Sequence, residues 1–360
     1  MFSNAYADKR VFVTGHTGFK GSWLCLWLQR LGAQVTGYAL PQVTDPSLFD
    51  SAGIAGGMRH IEGDVRDAAA LERALGEAAP DFVFHLAAQP LVLESYAAPA
   101  ETFATNVTGS INLMEAIRRT GTRAAVVMVT TDKVYLNREW EHGYREDDPL
   151  GGHDPYSASK AAMEIAVSSW RSSFFAPHKA ADHGVRMASA RAGNVIGGGD
   201  WAGNRLVPDL ARSLPGNHQP ELRNPGSLRP WQHALEPLGG YLLLGAKLAG
   251  PGGEVYAEAW NFGPLPTDVR NVGALAGALL QRWGRAGWID VSDPGALHEA
   301  GLLRLSIDKA VARLGWRPVW DFAATVAHTA DWYGAVTSGK VSAREACQAD
   351  LDAYCAALTG

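Results

Sequence analysis

The stretch RVFVTGHTGFKGSWLCLWLQRLG, residues 10–32, decides the fold of this chain. Its first five residues, RVFVT (10–14), are mostly β-branched or aromatic and predict a strand. Residues 19–31 then carry apolar side chains three and four positions apart, which predicts a helix that ends at Gly32. A strand joined to such a helix by a glycine-rich turn is the typical first unit of a parallel α/β sheet.

Three glycines, Gly15, Gly18 and Gly21, lie at a spacing of three in that turn. Glycines here permit a tight turn, a close approach of the backbone to a diphosphate, and close packing of helix on strand. The start of the helix adds free N–H groups and the positive end of its dipole. The loop is therefore expected to bind a dinucleotide, with an ordinary glycine turn as the alternative. The expected contact residues are Gly15, Thr17, Gly18, Phe19, Lys20 and Gly21.

The same alternation of strands and helices continues along the chain. Further strands are predicted at 34–40, 58–63, 81–87, 123–130 and 185–191, and helices at 67–79, 99–120 and 156–175. Later helical patterns lie near 235–249, 268–283, 321–337 and 341–358. We expect an α/β fold: a doubly wound, Rossmann-like parallel sheet in residues 1–192, rejoined by about 230–262. A smaller C-terminal substrate-binding cap in residues 193–360 is expected to interleave with it.

The composition favours small soluble partners. The chain has 360 residues, 47% of them hydrophobic, and 32 Lys and Arg against 37 Asp and Glu give a net charge of −5. That balance predicts no attraction to nucleic acid or to an anionic membrane, and no run approaches the ~20 apolar residues that span a bilayer. Three cysteines at no metal-ligand spacing argue against an extracellular disulfide framework. We expect a cytoplasmic protein.

Two later segments are candidates for the rest of a dinucleotide site. The predicted second strand ends in Tyr38-Ala39-Leu40, without the carboxylate that commonly holds the adenosine ribose, so the residues alone do not separate NAD from NADP. Asp64, beside Val65, is either an acceptor for adenine or a helix cap. The small residues of HLAAQ (85–89) allow either a flat ligand or simple tight packing. The expected contacts there are Leu86, Ala87, Ala88 and Gln89.

Tyr156 and Lys160 lie four positions apart and therefore share one helix face. A lysine ammonium lowers the pKa of a nearby phenol, which makes Tyr156 a candidate base for a substrate hydroxyl. The predicted fifth strand ends in TTDK, where Thr131 offers a hydroxyl, Asp132 a transferable proton and Lys133 a candidate base. A capped turn with a solvated ion pair is the alternative for this triplet.

Six segments together resemble the extended short-chain dehydrogenase/reductase family, over about residues 9–262. They are TGHTGFKG (14–21), HLAAQPLV (85–92), TTDKVY (130–135), DPYSASK (154–160), RAGNVIGGGDW (191–201) and RPWQH (229–233). Within the family, GHTGFKGSW combined with TTDK is most similar to the dehydratases that act on CDP-glucose. The resemblance implies NAD as cofactor and a nucleotide sugar, CDP-glucose or a related one, as substrate.

The resemblance also implies roles for individual residues. Tyr156, steadied by Lys160, would remove the proton of the hydroxyl on carbon 4 while NAD accepts hydride, and Thr131 would bind that oxygen. Lys133 would take the proton from carbon 5 and Asp132 would protonate the departing hydroxyl on carbon 6, before hydride returns to carbon 6. The segments that resemble the family's nucleotide-sugar cap contain Asn194, Arg205, Arg229 and Trp231.

The family pattern further implies a homodimer or tetramer, with a four-helix bundle built from the helices near 99–120 and 156–175. It implies a deoxysugar pathway for surface polysaccharide such as O-antigen. No metal is expected, because the 11 histidines show no ligand spacing. His233 is expected to be a packed residue, and Trp23 and Trp27 to belong to the core.

Three positions depart from the family pattern. Leu93 stands where an arginine is usual, and the segment PYSASKA carries Ala158 and Ala161. Two related activities therefore remain as alternatives: dehydration of another nucleotide sugar, and 4-epimerisation, which needs only the tyrosine chemistry. A non-catalytic regulator that senses NAD(H) is the alternative from another class.

Overall fold

A parallel sheet of seven strands runs through the protein, as the sequence predicted. The structure is a computed structural model that describes residues 2–214, 216, 219–293 and 301–359. Its strands are β1 (Arg10–Thr14), β2 (Gln34–Ala39), β3 (Arg59–Glu62), β4 (Phe82–His85), β5 (Ala125–Val129), β6 (Arg186–Ala192), β7 (Val195–Ile196), β8 (Glu221–Leu222), β9 (Leu228–Pro230), β10 (Gln232–His233), β11 (Ala259–Phe262), β12 (Val269–Asn271) and β13 (Ile289–Asp290). The sheet has the order β3-β2-β1-β4-β5-β6-β11, with every neighbouring pair parallel. This is a doubly wound order, whose ligand crevice lies at the carboxyl ends of β1 and β4.

Helices cover both faces of this sheet. They are α1 (Phe19–Arg30), α2 (Leu48–Ser51), α3 (Ala68–Ala78), α4 (Val92–Ala97), α5 (Pro99–Phe103), α6 (Gly109–Thr120), α7 (Pro155–Ser173), α8 (Ala180–His183), α9 (Leu206–Arg212), α10 (Leu235–Ala249), α11 (Val272–Arg282), α12 (Phe322–Thr337) and α13 (Ala343–Thr359). Because side chains alternate along a strand, Val11 and Val13 pack with α1 and α10, whereas Phe12 packs with α3, α6 and α7. Trp23 and Trp27 of α1 are fully buried in the first of these layers, as expected.

Two predicted helices differ in detail from their patterns. The helix expected at 268–283 begins at Val272, because Val269–Asn271 pair with β9 and the Asn271 side chain caps α11 by accepting a hydrogen bond from Ala274 N at 2.7 Å. The helix expected at 99–120 contains a π-helical turn, Ala104–Thr108, between α5 and α6. Such turns often occur at functional sites.

The chain returns to the central sheet at β11. Ala259–Phe262 pair in parallel with Ser189–Ala192 of β6. Small two-stranded sheets, β7 with β10, β8 with β13 and β9 with β12, follow the carboxyl end of β6. They belong to the part of the chain predicted as the cap, and the division at residue 193 stays a prediction.

Within the described ranges, no helix combines the length and the apolarity needed to cross a lipid bilayer.

Candidate active site

At two positions of the loop between β1 and α1, no residue larger than glycine fits. Gly15 has a φ of 73°, and a Cβ atom there would lie 2.6 Å from Ala87 N. A Cβ on Gly21 would lie 2.1 Å from the carbonyl oxygen of Gly15. The first turn of α1 begins after Gly18 without a side-chain cap and contains no acidic residue. A helix start without a side-chain cap or an acidic residue suits the diphosphate of a dinucleotide.

The neighbouring strand ends are tied to this loop. Thr17 Oγ1 donates to the carbonyl of Leu40 at 2.9 Å, at the end of β2. Ala87 N donates to the hydroxyl of Thr14 at 3.2 Å, so the small residues after β4 lie against β1. Leu86 packs on the apolar layer that contains α1 and α10, and Ala87 packs on the layer that contains α3, α6 and α7. The glycine loop and the residues that follow β4 thus lie against each other.

Asp64 does not cap a helix. Its carboxylate accepts hydrogen bonds from the Arg66 side chain at 2.6 and 2.8 Å and from Arg66 N at 2.8 Å, whereas Asp67 caps α3. The hydrogen bonds from Arg66 lower the pKa of Asp64. Val65 is buried against Gly109 of α6. Of the two readings of Asp64 left open by the sequence, the helix cap is wrong.

Gln89 connects the crevice to the π-helical turn. Its backbone N–H donates to Asn106 Oδ1 at 2.8 Å, and Asn106 Nδ2 donates to the hydroxyl of Ser159 at 2.9 Å. Asn106 is fully buried. This link fixes the distance between the cofactor loop and the start of α7, which carries Tyr156 and Lys160.

A cavity of about 1460 Å³ opens beside this crevice. Predicted residues from distant parts of the chain converge on it. Those lining it are Lys20, Thr131, Asp132, Lys133, Tyr156, Asn194, Arg205, Arg229 and Trp231. The cavity therefore brings together the predicted sugar chemistry and the predicted nucleotide-binding residues.

The environment of Tyr156 acts on the pKa of its phenol in both directions. Burial raises the pKa of its phenol to about 12, while a hydrogen bond with Thr131 and the charge of Arg205 act in the lowering direction. The ammonium of Lys160 lies 3.4 Å from the carbonyl of Val129 and 3.7 Å from Met163 Sδ. Burial lowers the pKa of Lys160 to about 8, although Glu164 opposes this shift. Burial thus outweighs the groups that lower the phenol pKa, and the effect of the Lys160 charge on it stays a prediction.

The triplet forms a short 3-10 turn, Asp132–Val134, after β5. Asp132 is 2% exposed, and the Thr131 hydroxyl donates to its carboxylate at 3.0 Å. Burial raises the pKa of Asp132, and the charges of Lys133 and Arg229 only partly oppose that. A Cβ on Gly193 would lie 2.8 Å from Asp132 Oδ2, so that glycine leaves room for the carboxylate. The alternative of a solvated ion pair does not describe a buried carboxylate.

Lys20 points away from the glycine loop. Its ammonium donates to the Tyr241 hydroxyl of α10 at 2.9 Å and lies 4.9 Å from the centre of that ring. Burial, followed by the charges of Lys160 and Arg205, lowers the pKa of Lys20 to about 7. Lys20 thus faces the cavity beside the catalytic candidates. Tyr241 was not identified from the sequence, because it lies in an apolar helix 221 residues away.

The substrate-side residues are held by their neighbours. Arg205 donates to Asp200 Oδ2 at 2.9 Å, and the Trp231 indole N–H donates to the carbonyl of Arg270 at 3.0 Å. The Asn194 carbonyl accepts a hydrogen bond from Gln232 N at 3.4 Å. Arg229 is 9% exposed, and its charge lowers the pKa of Asp132. Asp200 was missed, although it ends the quoted run GGGD (197–200).

The three departures from the family pattern lie in different places. Leu93 lines the cavity, where an arginine would add a charge. Ala158 packs on Gly152, whose own Cβ would meet Ala158 N at 2.2 Å. Ala161 is buried in a cluster with Val134 and Tyr135, beneath the triplet turn. Only Leu93 is therefore in direct reach of a substrate.

Histidines take structural positions around the site. His233 is fully buried between Trp23 and Trp320, as expected for a packed residue. His16 Nε2 lies 2.6 Å from His60 Nδ1, and burial together with His60 lowers the pKa of His16 to about 4. In the described part of the chain, no three His, Cys, Asp or Glu side chains form a group that could hold a metal ion.

The model of the NAD dependent epimerase/dehydratase family matches residues 11–257. The chain belongs to this family. It is 48% identical over 338 residues to the CDP-glucose 4,6-dehydratase of Salmonella typhimurium, covering 94% of each chain.

More distant similarities agree with this membership. The chain is 32% identical over 336 residues to the dTDP-glucose 4,6-dehydratase of Streptomyces antibioticus, covering 90% of this chain and 92% of that one. Among solved structures, it superimposes on the dTDP-glucose 4,6-dehydratase of Streptomyces venezuelae with NAD and TYD bound. The TM-score is 0.74 and the identity 26%, covering 90% of this chain and 97% of that one.

Proposed function

We propose that this protein is an NAD-dependent lyase that converts CDP-glucose to CDP-4-keto-6-deoxyglucose. The single observation that carries the proposal is the convergence of Tyr156 and the triplet Thr131-Asp132-Lys133 on one cavity. The 48% identity to a CDP-glucose 4,6-dehydratase supports the choice of substrate. The glycine loop and the uncapped start of α1 support the choice of cofactor.

The first step is oxidation at carbon 4 of the glucose. Thr131 and Tyr156 hold the oxygen on carbon 4, and the ionised phenol of Tyr156 accepts the hydroxyl proton. When bound, NAD supplies the hydride acceptor for carbon 4 and later the hydride donor for carbon 6. Lys160, whose pKa lies at about 8, lies one helical turn beyond Tyr156, and its positive charge favours the phenolate.

The second step is loss of water across carbons 5 and 6. A ketone at carbon 4 acidifies the hydrogen on carbon 5, and the neutral amine of Lys133 takes that proton and becomes an ammonium. Asp132 donates a proton to the hydroxyl leaving carbon 6. The raised pKa of buried Asp132 supports this role, because a carboxylic acid must hold its proton to act as a general acid.

Two arginines lining the cavity are suited to bind the diphosphate of the nucleotide sugar. Arg205 and Arg229 line the cavity, and planar guanidinium groups bind diphosphate oxygens through paired, charge-assisted hydrogen bonds. Trp231 and Asn194 also line the cavity. We assign these four residues to the nucleotide sugar and residues 15, 17–19, 21, 64–65 and 86–89 to NAD.

Incubation of the protein with CDP-glucose and NAD tests the proposal. We expect a product lighter by one water molecule, with the absorbance of a 4-keto sugar. An unchanged mass with inverted carbon 4 would identify a 4-epimerase instead, and turnover of another nucleotide glucose alone would change the substrate. Dinucleotide binding without turnover of any nucleotide sugar would favour the non-catalytic regulator.

We further propose a homodimer or tetramer acting in the cytoplasm, in a deoxysugar pathway for surface polysaccharide such as O-antigen. Phe103 of α5, Ile165 of α7 and Phe174 are exposed, and this supports association through these helices. Sedimentation of the purified protein tests the oligomer: a monomer at micromolar concentration would contradict it.

A further inference from the structure

A buried ion pair lies behind the wall of the cavity. Glu164 of α7 and Arg191 of β6 have side chains that are 3% and 4% exposed. Arg191 Nε donates to Glu164 Oε1 at 2.9 Å and Arg191 Nη2 donates to Oε2 at 3.0 Å, so the pair is two-pronged. Neither residue is used by the chemistry proposed above.

The pair contacts both ends of the loop that carries the triplet. At one end, the Thr130 hydroxyl donates to Glu164 Oε1 at 2.5 Å. At the other end, Arg191 Nη1 donates to the Tyr135 hydroxyl at 2.8 Å, and that hydroxyl donates to Asn261 Oδ1 at 2.7 Å. The residues between these two anchors are Thr131, Asp132, Lys133 and Val134.

The contacts of the pair favour the ionised form of Glu164. Burial raises the pKa of Glu164, but the charge of Arg191 and the hydrogen bonds from Arg191, Thr130 and Ser189 outweigh it, so the pKa is lowered overall. A buried ion pair gives little net stability compared with well-packed apolar residues, because both charges lose their hydration. It does, however, fix the directions of the groups bonded to it.

Glu164 lies one helical turn beyond Lys160 and two turns beyond Tyr156 on α7. The helix that carries the phenol therefore also holds the triplet loop through Glu164. We propose that Glu164 and Arg191 are positioning residues, which hold Asp132 and Lys133 in a fixed relation to Tyr156. The expected effect of the pair on the elimination of water rests on the function proposed above. Its expected effect on the order of the loop does not.

The structural consequence is tested by hydrogen exchange of the backbone in residues 130–136. Thr130→Val and Tyr135→Phe each remove one anchor with little change of shape. Ser189→Ala is the matched control, since the Ser189 hydroxyl donates to Glu164 Oε2 at 2.7 Å but belongs to β6. We expect exchange in 130–136 to become about 10-fold faster in both anchor variants and to change less than about 2-fold in the control. Equal exchange in all three variants would overturn the proposal.

The chemical consequence is that the anchor variants should slow elimination of water without slowing oxidation at carbon 4. Oxidation at carbon 4 depends on Tyr156, whereas elimination depends on Asp132 and Lys133. We expect the anchor variants to eliminate water about 10-fold more slowly, with unchanged KM, while the first oxidation keeps its rate. Reduced nicotinamide should then accumulate during a single turnover, as followed by its absorbance. A merely structural role would slow both steps equally, in proportion to the loss of folded protein, and that result would also overturn the proposal.

The two proposals fail in different ways. If the unmodified protein leaves CDP-glucose unchanged, the proposed function fails, and hydrogen exchange still decides whether the pair positions the loop. If the unmodified protein dehydrates CDP-glucose but the anchor variants match Ser189→Ala in exchange and in turnover, only the positioning role fails.

Discussion

Tyr156 is the residue on which the proposed chemistry depends most. Replacing it by phenylalanine removes the phenol and leaves the packing of the ring intact. Because a general base contributes about 10²–10⁴-fold, we expect Tyr156→Phe to lower kcat by that factor with little effect on KM. The matched control is Tyr256→Phe, since Tyr256 precedes β11 at the opposite end of the sheet. Unchanged turnover in Tyr156→Phe would show that another group is the base.

Asp200 makes a second residue-scale prediction. Its carboxylate holds Arg205 at 2.9 Å on the cavity wall. In Asp200→Asn the guanidinium loses its charged partner and its fixed direction, so we expect KM for CDP-glucose to rise about 10-fold while kcat changes less than about 3-fold. Asp331→Asn breaks the exposed Arg282–Asp331 pair and serves as the control in steady-state kinetics. A fall in kcat alone would place Arg205 in the chemistry instead.

At the scale of elements, two glycines of the cofactor loop differ in the space available for a Cβ atom. A Cβ on Gly21 would lie 2.1 Å from the Gly15 carbonyl, whereas a Cβ on Gly18 would have its nearest neighbour at 3.5 Å. We therefore expect Gly21→Ala to destabilise the protein by about 1–3 kcal/mol, as overpacking does. Gly18→Ala should keep the melting temperature of the NAD-free protein and weaken NAD binding. Thermal melting with and without NAD separates the two effects. Equal melting temperatures of Gly21→Ala and Gly18→Ala without NAD would contradict the predicted difference in stability.

Glu236 makes a pH-dependent link between elements. This fully buried carboxyl of α10 accepts hydrogen bonds from Trp320 N and from the Tyr354 hydroxyl of α13. Burial raises its pKa to about 7 from an ordinary value near 4.5. The folded chain therefore binds the Glu236 proton more tightly than the unfolded chain does, and this difference adds to the free energy of unfolding. The added free energy is fully present below about pH 4.5 and is lost as the pH rises through about 7.

Glu236→Gln tests that link, because glutamine keeps an acceptor but does not titrate. The difference amounts to about 3 kcal/mol between the two limits. We expect wild-type stability, measured by denaturant unfolding, to fall relative to the variant between pH 5 and 8. Parallel pH profiles of the two proteins would show that Glu236 does not titrate in this range.

The elements were largely predictable from sequence, because strands β1 to β6 and helices such as α7 have strong periodic patterns. The π-helical turn at Ala104–Thr108 was not, since its residues continue the pattern of the flanking helices. Its cause is tertiary: Asn106 turns toward Gln89 and Ser159. Likewise α11 starts later than its apolar pattern, because the preceding residues pair with β9.

At the scale of the whole molecule, the doubly wound sheet brings the ends of β1, β4 and β5 to one edge, and this explains why motifs far apart in sequence surround one cavity. Sequence reasoning could therefore place Tyr156 and the triplet together. It could not find Tyr241, Asp200 or the Glu164–Arg191 pair, since each acts through a contact with a residue that only the folded chain brings near. It also could not see that Lys160 points toward Val129.

The central claim is that one cavity carries out oxidation, elimination and reduction on one sugar. CDP-glucose labelled with deuterium at carbon 4 tests this claim most directly. If the hydrogen removed from carbon 4 returns to carbon 6 of the same sugar before the product leaves, mass spectrometry and NMR should find the label at carbon 6. Loss of the label, or its retention at carbon 4, would contradict the convergence of Tyr156, Asp132 and Lys133 on a single hexose.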